Sequence, residues 1–141
     1  MADIRARSLG GYQVLLQTDE HSVLADEPKG VGNGLGLDPY ELLLSALGAC
    51  TVMTLEIYAK RKEWPLEQVD AKLFRERVHA RDCEECEQET GFVDRIHVRL
   101  DLKGDLDTQQ RQRLLEIADR CPVRRTLANA PKITHELTGQ E

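Results

Sequence analysis

The sequence predicts a mixed fold of strands and helices, in which strands precede a helix in each half of the chain. Two observations carry this prediction. Apolar and polar residues alternate near the N-terminus and again over residues 69–79 and 96–102, whereas residues 42–58 form a continuous apolar run of helical length. Because 141 residues amount to one typical domain, we expect a single domain over residues 1–141.

The N-terminal third is predicted to form three short strands. Residues 12–18 and 22–25 flank a polar turn, and residues 5–9 are expected to pair with them through a turn at Gly10-Gly11. A glycine-rich loop follows over residues 29–36. It lacks the Lys-Ser or Lys-Thr pair of a phosphate-binding loop, so we interpret it as a flexible entry loop that allows close backbone approach.

A long helix is predicted from Asp38 to about Lys62. Asp38 is a suitable N-cap, Pro39 is a suitable first helical residue, and the pair Trp64-Pro65 ends the helix. Residues 42–58 are apolar on nearly every side, which predicts burial on more than one face. A helix this apolar in so small a protein indicates a core shared between chains, so we expect an oligomer.

The second half is predicted to contain two strands, a helix and a closing strand. Residues 69–79 and 96–102 alternate as half-buried strands do. The helix is expected to begin after Asp107, because this residue is a good N-cap and Gln110 completes the pattern of a capping box. The last strand is predicted at residues 132–137.

Charge and composition exclude several functional classes. The chain has 25 acidic and 19 basic residues and a net charge of −6, which disfavours binding to nucleic acids. Its first residues lack the apolar stretch of a signal sequence, and no uninterrupted apolar run predicts a transmembrane helix. We therefore expect a cytoplasmic protein. In that reducing compartment, four cysteines favour catalytic, redox or metal-binding roles over structural disulfides.

Two of the cysteines lie beside interruptions in the predicted helices. Cys121 precedes Pro122, so one helix should end near it and a short one should run from Pro122 to about Ala128. A helix N-terminus with neighbouring arginines favours the reactive thiolate. Cys50 follows Gly48, which costs about 1 kcal/mol in a helix interior relative to alanine and so indicates close packing or a local break. Either cysteine alone could also be a small buried hydrophobic residue.

The other two cysteines, Cys83 and Cys86, form a C-x-x-C motif in an acidic segment. The neighbouring carboxylates should raise the thiol pKa values and reduce nucleophilicity. Three interpretations stay open: an exposed, auxiliary or incidental pair, a metal site with His79 as a third ligand, and a regulatory disulfide. No second C-x-x-C completes a tetrahedral zinc site within one chain, and we predict neither a metal nor a cofactor.

The segments LDPYELLLSALGACT (residues 37–51) and DRCPV (residues 119–123) resemble the two cysteine segments of the OsmC/Ohr family, the osmotically inducible and organic hydroperoxide resistance proteins. The resemblance spans residues 12–137 and looks closer to the OsmC-like branch. It implies an α+β, OsmC-like fold with strands and then a long central helix in each half. It also implies an intertwined homodimer with two sites at the subunit interface.

The resemblance further implies a thiol-dependent peroxidase, an antioxidant stress-response oxidoreductase acting on organic hydroperoxides or hydrogen peroxide. It assigns Cys50 as the peroxidatic cysteine and Cys121 as the resolving one, with an external dithiol, lipoyl-type in the family, restoring both thiols. The family's catalytic glutamate directly follows the proline, where this chain has Tyr40, so Glu41 is the candidate acid. Arg7 is the candidate for the thiolate-stabilising arginine.

One condition and two alternatives accompany this hypothesis. Glu41 and Cys50 are separated by about two and a half helical turns, so they point to opposite sides unless the helix breaks near Gly48. One alternative is a non-catalytic dimer that binds a small ligand in an apolar interface pocket. The other is a redox- or metal-sensing stress protein built on Cys83 and Cys86.

Overall fold

The computed structural model of the protein describes residues 3–83, 87 and 90–139. The chain divides into two compact units, Met1–Ala46 and Leu47–Glu141. The first unit holds a three-stranded sheet and the start of a long helix. The second holds the rest of that helix, a two-stranded sheet and two shorter helices.

The N-terminal sheet has the three strands that the sequence predicts. The strands β1 (Arg5–Gly10), β2 (Gln13–Gln17) and β3 (Ser22–Ala25) pair antiparallel in the order β1-β2-β3. The first turn uses Gly10 and Gly11 at φ values of 126° and 56°. Glycine adopts this left-handed region without the steric cost that a Cβ would impose, so the turn lies where the glycine pair predicts it.

A buried carboxylate, which the sequence analysis did not single out, organises the glycine-rich loop. The Asp26 side chain is 2% exposed. The Asp26 carboxylate accepts hydrogen bonds from three backbone N–H groups, those of Glu27 at 2.8 Å, Asn33 at 3.2 Å and Leu35 at 3.1 Å.

The predicted close backbone approach of the glycine-rich loop is confirmed at Gly36. A Cβ added there would collide with the Leu24 carbonyl oxygen.

The long helix α1 spans Pro39–Lys62, as predicted, and runs through Gly48 without a break. Its buried residues form one stripe: Leu47, Gly48, Thr51, Leu55 and Ala59. On other faces Met53 and Ile57 are 62% and 64% exposed. Within the single chain, the expectation of burial on more than one face is therefore not met.

The strands β4 (Leu66–His79) and β5 (Phe92–Gly104) form a long antiparallel pair. The pairing confirms both predicted strands and extends them. A Cβ built on Gly48 would lie 2.9 Å from Leu73 Cδ1, so α1 packs closely against β4 at this point. Of the two explanations for Gly48, close packing is confirmed and a break in the helix is wrong.

Two shorter helices follow, α2 (Thr108–Ala118) and α3 (Pro122–Ala128). The core of the second unit lies between α1, α2 and partly buried residues of β4 and β5. The predicted capping box at the start of α2 is confirmed: Asp107 Oδ1 accepts from the Gln110 N–H at 2.7 Å, and Gln110 Oε1 accepts from the Asp107 N–H at 2.9 Å. The buried core residues are Leu55, Ala59, Leu106, Leu114 and Ile117. Full burial of a leucine side chain, as in this core, stabilises a fold by about 1.5–3 kcal/mol.

The strand predicted at residues 132–137 is wrong, because residues 130–139 form no regular secondary structure. Ile133 and Leu137 are 74% and 82% exposed. Alternating apolar residues form a strand only where another strand offers its backbone groups, and no strand in the described part of the chain pairs with this segment.

By length and composition alone, α1 would suffice to cross a membrane, contrary to the expectation from the sequence. It has 24 residues and contains an 18-residue window of mean hydropathy 1.7. The core helix of a water-soluble protein meets the same criterion, and Leu55 and Ala59 of α1 belong to the core described above. The apolarity of α1 therefore assigns no membrane location.

Candidate thiol site

The two cysteines singled out by the sequence both lie in the second unit. Cys50 is in the middle of α1, and Cys121 is the corner residue between α2 and α3. The corner is held on both sides: the Cys121 N–H donates to the Ala118 carbonyl at 3.3 Å, and the Cys121 carbonyl accepts from the Arg125 N–H at 3.1 Å. The Cys-Pro pair thus ends one helix and starts the next, as predicted.

The structure brings the two thiols into contact. Cys50 and Cys121 are free cysteines whose side chains are hydrogen-bonded to each other. They differ in accessibility, since Cys50 is half-buried and Cys121 is 0% exposed. The two thiols are therefore candidates for a redox pair.

The two thiols differ in acidity. Burial, followed by the hydrogen bond with Cys121, raises the pKa of the Cys50 thiol above its ordinary value. Burial also raises the pKa of Cys121, but the hydrogen bond with Cys50, the Arg124 backbone N–H and the Thr51 hydroxyl outweigh it. The pKa of Cys121 is therefore lowered.

Two threonines of α1, which the sequence analysis missed, complete the surroundings of the sulfurs. The Thr51 hydroxyl donates to the Leu47 carbonyl at 2.8 Å and also interacts with Cys121. The Thr54 hydroxyl donates to the Cys50 carbonyl at 2.7 Å and also interacts with the Cys50 sulfur. Thr54 lies four residues after Cys50, which is the helical spacing that could have indicated it, whereas no spacing rule indicates Thr51.

The other candidate residues lie in the first unit. The Glu41 carboxylate accepts from the Asp38 N–H at 3.2 Å, and Asp38 accepts from the Glu41 N–H at 2.8 Å, so Glu41 forms a capping box at the start of α1. The break near Gly48 on which its cooperation with Cys50 depends is absent. Arg7 is an exposed residue of β1, paired with Leu15. The catalytic roles of Glu41 and Arg7 stay predictions.

The acidic C-x-x-C is described only in part, because Cys86 lies outside the described residues. Cys83 is buried and disulfide-bonded, so it is not the exposed thiol that one interpretation required. Nearby, His79 Nδ1 is buried and has no hydrogen-bond partner among the described residues. Within the described ranges, no group of three or more His, Cys, Asp or Glu side chains is placed to hold a metal ion.

Comparison with known proteins shows the family of the chain. The family model described as OsmC-like protein matches residues 32–136. No curated protein sequence matches significantly. An OsmC-like protein from Mycoplasma pneumoniae has a similar structure, with a TM-score of 0.72, 21% identity, and coverage of 91% of this chain and 87% of that one.

Two solved structures named as organic hydroperoxide resistance proteins also share the fold. The OsmC protein from Legionella pneumophila has a TM-score of 0.64 and 18% identity, with 92% of this chain and 91% of that one covered. The protein from Elizabethkingia anophelis has a TM-score of 0.63 and 20% identity, with the same two coverages of 92% and 91%. The α+β fold matches OsmC-like structures, and the chain belongs to the OsmC-like protein family.

Proposed function

We propose that this protein is a thiol-dependent peroxidase that reduces organic hydroperoxides or hydrogen peroxide through Cys50 and Cys121. The hydrogen-bonded contact between these two free thiols carries the proposal. Two thiols in contact supply the two electrons that reduction of one O–O bond requires. Membership of the OsmC-like family and the names of the structural neighbours support the same class of reaction.

In the first step the pair reacts as one thiol and one thiolate. The proton of Cys50 passes to Cys121, and the Cys50 thiolate attacks the terminal oxygen of the hydroperoxide. The O–O bond breaks, Cys50 becomes a sulfenic acid, and the alkoxide leaving group takes the proton from Cys121 and departs as an alcohol. Cys121 is then again the thiolate, ready for the second step.

In the second step the Cys121 thiolate attacks the sulfenic sulfur of Cys50. A disulfide forms and hydroxide leaves, so the dithiol has been oxidised by two electrons and the peroxide reduced by two. An external dithiol, for which we propose a lipoyl-type compound, restores both thiols by exchange with the disulfide. A reducing compartment such as the cytoplasm would keep the pair reduced between turnovers, and we place the protein there.

Accessibility decides which sulfur meets the peroxide. Cys121 is 0% exposed, whereas Cys50 is half-buried. The more accessible sulfur is the one that a peroxide can approach, which supports Cys50 as the peroxidatic and Cys121 as the resolving cysteine. Glu41 and Arg7 are further proposed members of the site, assigned by the family resemblance.

We also propose that the protein acts as a homodimer, in the intertwined form that the family resemblance implies. Met53 and Ile57 of α1 are 62% and 64% exposed, and both lie on the helix that carries Cys50. Large apolar side chains exposed on a helix are typical of an interface with another chain. A second copy would cover this face and enclose the half-buried sulfur from the side that one chain leaves open.

The experiment that tests the peroxidase is a thiol count after one equivalent of cumene hydroperoxide. Loss of two thiols per chain is expected for the wild type, and for the control Cys83→Ser/Cys86→Ser. Cys50→Ser should lose none, whereas Cys121→Ser should accumulate a sulfenic acid on Cys50 that dimedone labels. A sulfenic acid on Cys121 in Cys50→Ser would reverse the two roles.

The same experiment separates the alternatives. In protein whose disulfides have been fully reduced beforehand, oxidation confined to Cys83 and Cys86 would favour the sensing function and contradict the peroxidase. No loss of thiols, together with tight binding of an apolar ligand, would favour the non-catalytic binding protein. Either result would overturn the proposed function.

A further inference from the structure

The glycine-rich loop contains an asparagine followed by a glycine, the pair Asn33-Gly34. Such an asparagine is prone to spontaneous deamidation, because glycine has no side chain that hinders attack by its own backbone nitrogen on the preceding side-chain amide. Asn33 is exposed, and Gly34 has a φ of 63°, which favours glycine at this position. The loop conformation therefore selects the residue that makes Asn33 chemically labile.

Deamidation of Asn33 is a hydrolysis that requires no oxidant or reductant. The Gly34 nitrogen gives its proton to a base in the solvent and attacks the carbonyl carbon of the Asn33 side chain. A C–N bond forms, ammonia leaves, and a succinimide ring remains. Water then opens the ring at either carbonyl and leaves aspartate or isoaspartate, so one water is consumed for each ammonia released.

In the folded loop, three consecutive backbone N–H groups at this pair are hydrogen-bonded. The N–H groups of Asn33 and Leu35 donate to Asp26 Oδ2 at 3.2 and 3.1 Å. The Gly34 N–H between them donates to the Glu27 carbonyl at 3.0 Å. The attacking nitrogen is thus bonded through the proton that it must lose, and the peptide groups on both sides of it are fixed. Reaction requires that the loop first opens locally.

The Asp26 carboxylate lies close beneath the loop. It is 2% exposed, and a Cβ built on Gly32 would lie 2.5 Å from Asp26 Oδ1 and 2.6 Å from the Glu27 carbonyl oxygen. Hydrogen bonds to a charged acceptor are stronger than those to a neutral one. The carboxylate therefore contributes more to keeping the loop closed than the Glu27 carbonyl does.

We propose that Asn33 is a deamidation site that Asp26 keeps unreactive, and that opening of residues 27–35 exposes it to an irreversible change. Isoaspartate adds a methylene to the main chain between the two N–H groups that share Asp26 Oδ2. Either product also carries a new negative charge at residue 33, whose backbone N–H bonds the Asp26 carboxylate. The converted loop is held less tightly, so a reversible opening becomes a permanent one. This inference is independent of the thiol pair.

The test is incubation at neutral pH, followed by tryptic peptide mapping by mass spectrometry, which detects the replacement of NH₂ by OH at residue 33. The wild type should convert at least about tenfold more slowly in the native state than in urea, because only the open loop reacts. Under native conditions Asp26→Asn should convert at least about tenfold faster than the wild type, because it removes a hydrogen bond to a charged acceptor. Trypsin cleaves after Lys29, so residues 26 and 33 lie in different peptides.

Leu114→Ala is the control, because it leaves a cavity in the core of the second unit and does not alter the loop. It should leave the conversion at residue 33 unchanged. An equal acceleration in Leu114→Ala would overturn the proposal by assigning the protection to the whole fold, as would a folded Asp26→Asn without acceleration.

Two measurements on the wild type keep the proposal testable if Asp26→Asn does not fold. Equal conversion rates in the native state and in urea would overturn the protection of Asn33. The converted wild type, isolated by ion exchange, should show faster hydrogen exchange at the Leu35 amide than the unconverted protein. An unchanged exchange rate would overturn the permanent opening of the loop.

Discussion

The substitution Asp26→Asn tests whether a buried carboxylate holds the glycine-rich loop in place. The Asp26 side chain is 2% exposed and accepts three backbone hydrogen bonds. One carboxylate oxygen serves Glu27, and the other serves both Asn33 and Leu35. An asparagine has one carbonyl oxygen and one NH₂ group, so in its best orientation it keeps two of these bonds and turns a donor towards the third.

The expected cost follows from these contacts. A hydrogen bond to a charged group contributes about 1.5–3 kcal/mol and a neutral one about 0.5–1.5 kcal/mol. Losing one charged bond and weakening two others should therefore reduce the free energy of unfolding by about 2–4 kcal/mol. For a chain of 141 residues this corresponds to a decrease in Tm of about 10 °C.

Thermal unfolding followed by circular dichroism measures the global effect, and hydrogen exchange measures the local one. If the loop opens by itself, the amides of Asn33 and Leu35 should exchange about a hundredfold faster, while Tm changes little. Asp19→Asn, on an exposed turn, is the control that removes a carboxylate without removing a buried contact. The reasoning is refuted if Asp26→Asn changes neither Tm nor the exchange of these two amides.

Three further predictions concern the second unit. The Arg111 guanidinium donates to three backbone carbonyls at the end of β5 and just before α2, at 2.6, 3.0 and 3.2 Å. Arg111→Lys should therefore lower the free energy of unfolding in urea by about 1–2 kcal/mol. Arg124→Lys, the control in an exposed ion pair, should lower it by at most about 1 kcal/mol. Equal decreases in the free energy of unfolding for the two variants would contradict this prediction. Ile57→Lys should dissociate the proposed dimer in sedimentation velocity, and an unchanged oligomeric state would exclude this face. Because the folded pKa of Cys121 is lowered, its contribution to stability is present above the unfolded thiol pKa of about 8.5 and is lost as the pH falls through the folded value. The difference in free energy of unfolding between the wild type and Cys121→Ser should therefore grow as the pH rises towards about 8.5. A constant or decreasing difference would contradict a lowered pKa of Cys121 in the folded protein.

The helices were predictable because their ends are set by local chemistry. Asp38 and Pro39 begin α1, and Asp107 begins α2, through contacts that involve residues at most three positions away. The pair Cys121-Pro122 likewise separates α2 from α3 because proline restricts the residue before it. Such signals can be read from the sequence without knowing what lies nearby in space.

The failures concern interactions between residues that are distant in the sequence. The segment 132–137 alternates like a strand, but the alternation cannot state which backbone would pair with it. Asp26 looked like an ordinary loop carboxylate, because its three donors lie at intervals of one, seven and nine residues and follow no periodic pattern. The extension of β4 and β5 beyond the alternating residues likewise depends on the pairing between them.

The site was predictable only in outline. The family resemblance identified Cys50 and Cys121, and the structure places these side chains in contact. It did not indicate Thr51, because a threonine inside an apolar helix has no apparent role until the position of Cys121 is known. Nor could the sequence rank the acidity of the two thiols. That ranking depends on burial, on the hydrogen bond between the two thiols and on two backbone N–H groups of α3.

The properties that make a cysteine susceptible to oxidation are divided between the two sulfurs. Susceptibility follows thiolate character and exposure together. The pKa of Cys121 is lowered but its side chain is fully buried, whereas Cys50 is half-buried and its pKa is raised. Neither sulfur alone combines the two properties, so in the proposed mechanism an oxidant reacts after the proton has moved from Cys50 to Cys121. In that mechanism the same transfer would leave Cys121 in contact with the new sulfenic acid, which would favour the disulfide over further oxidation of Cys50.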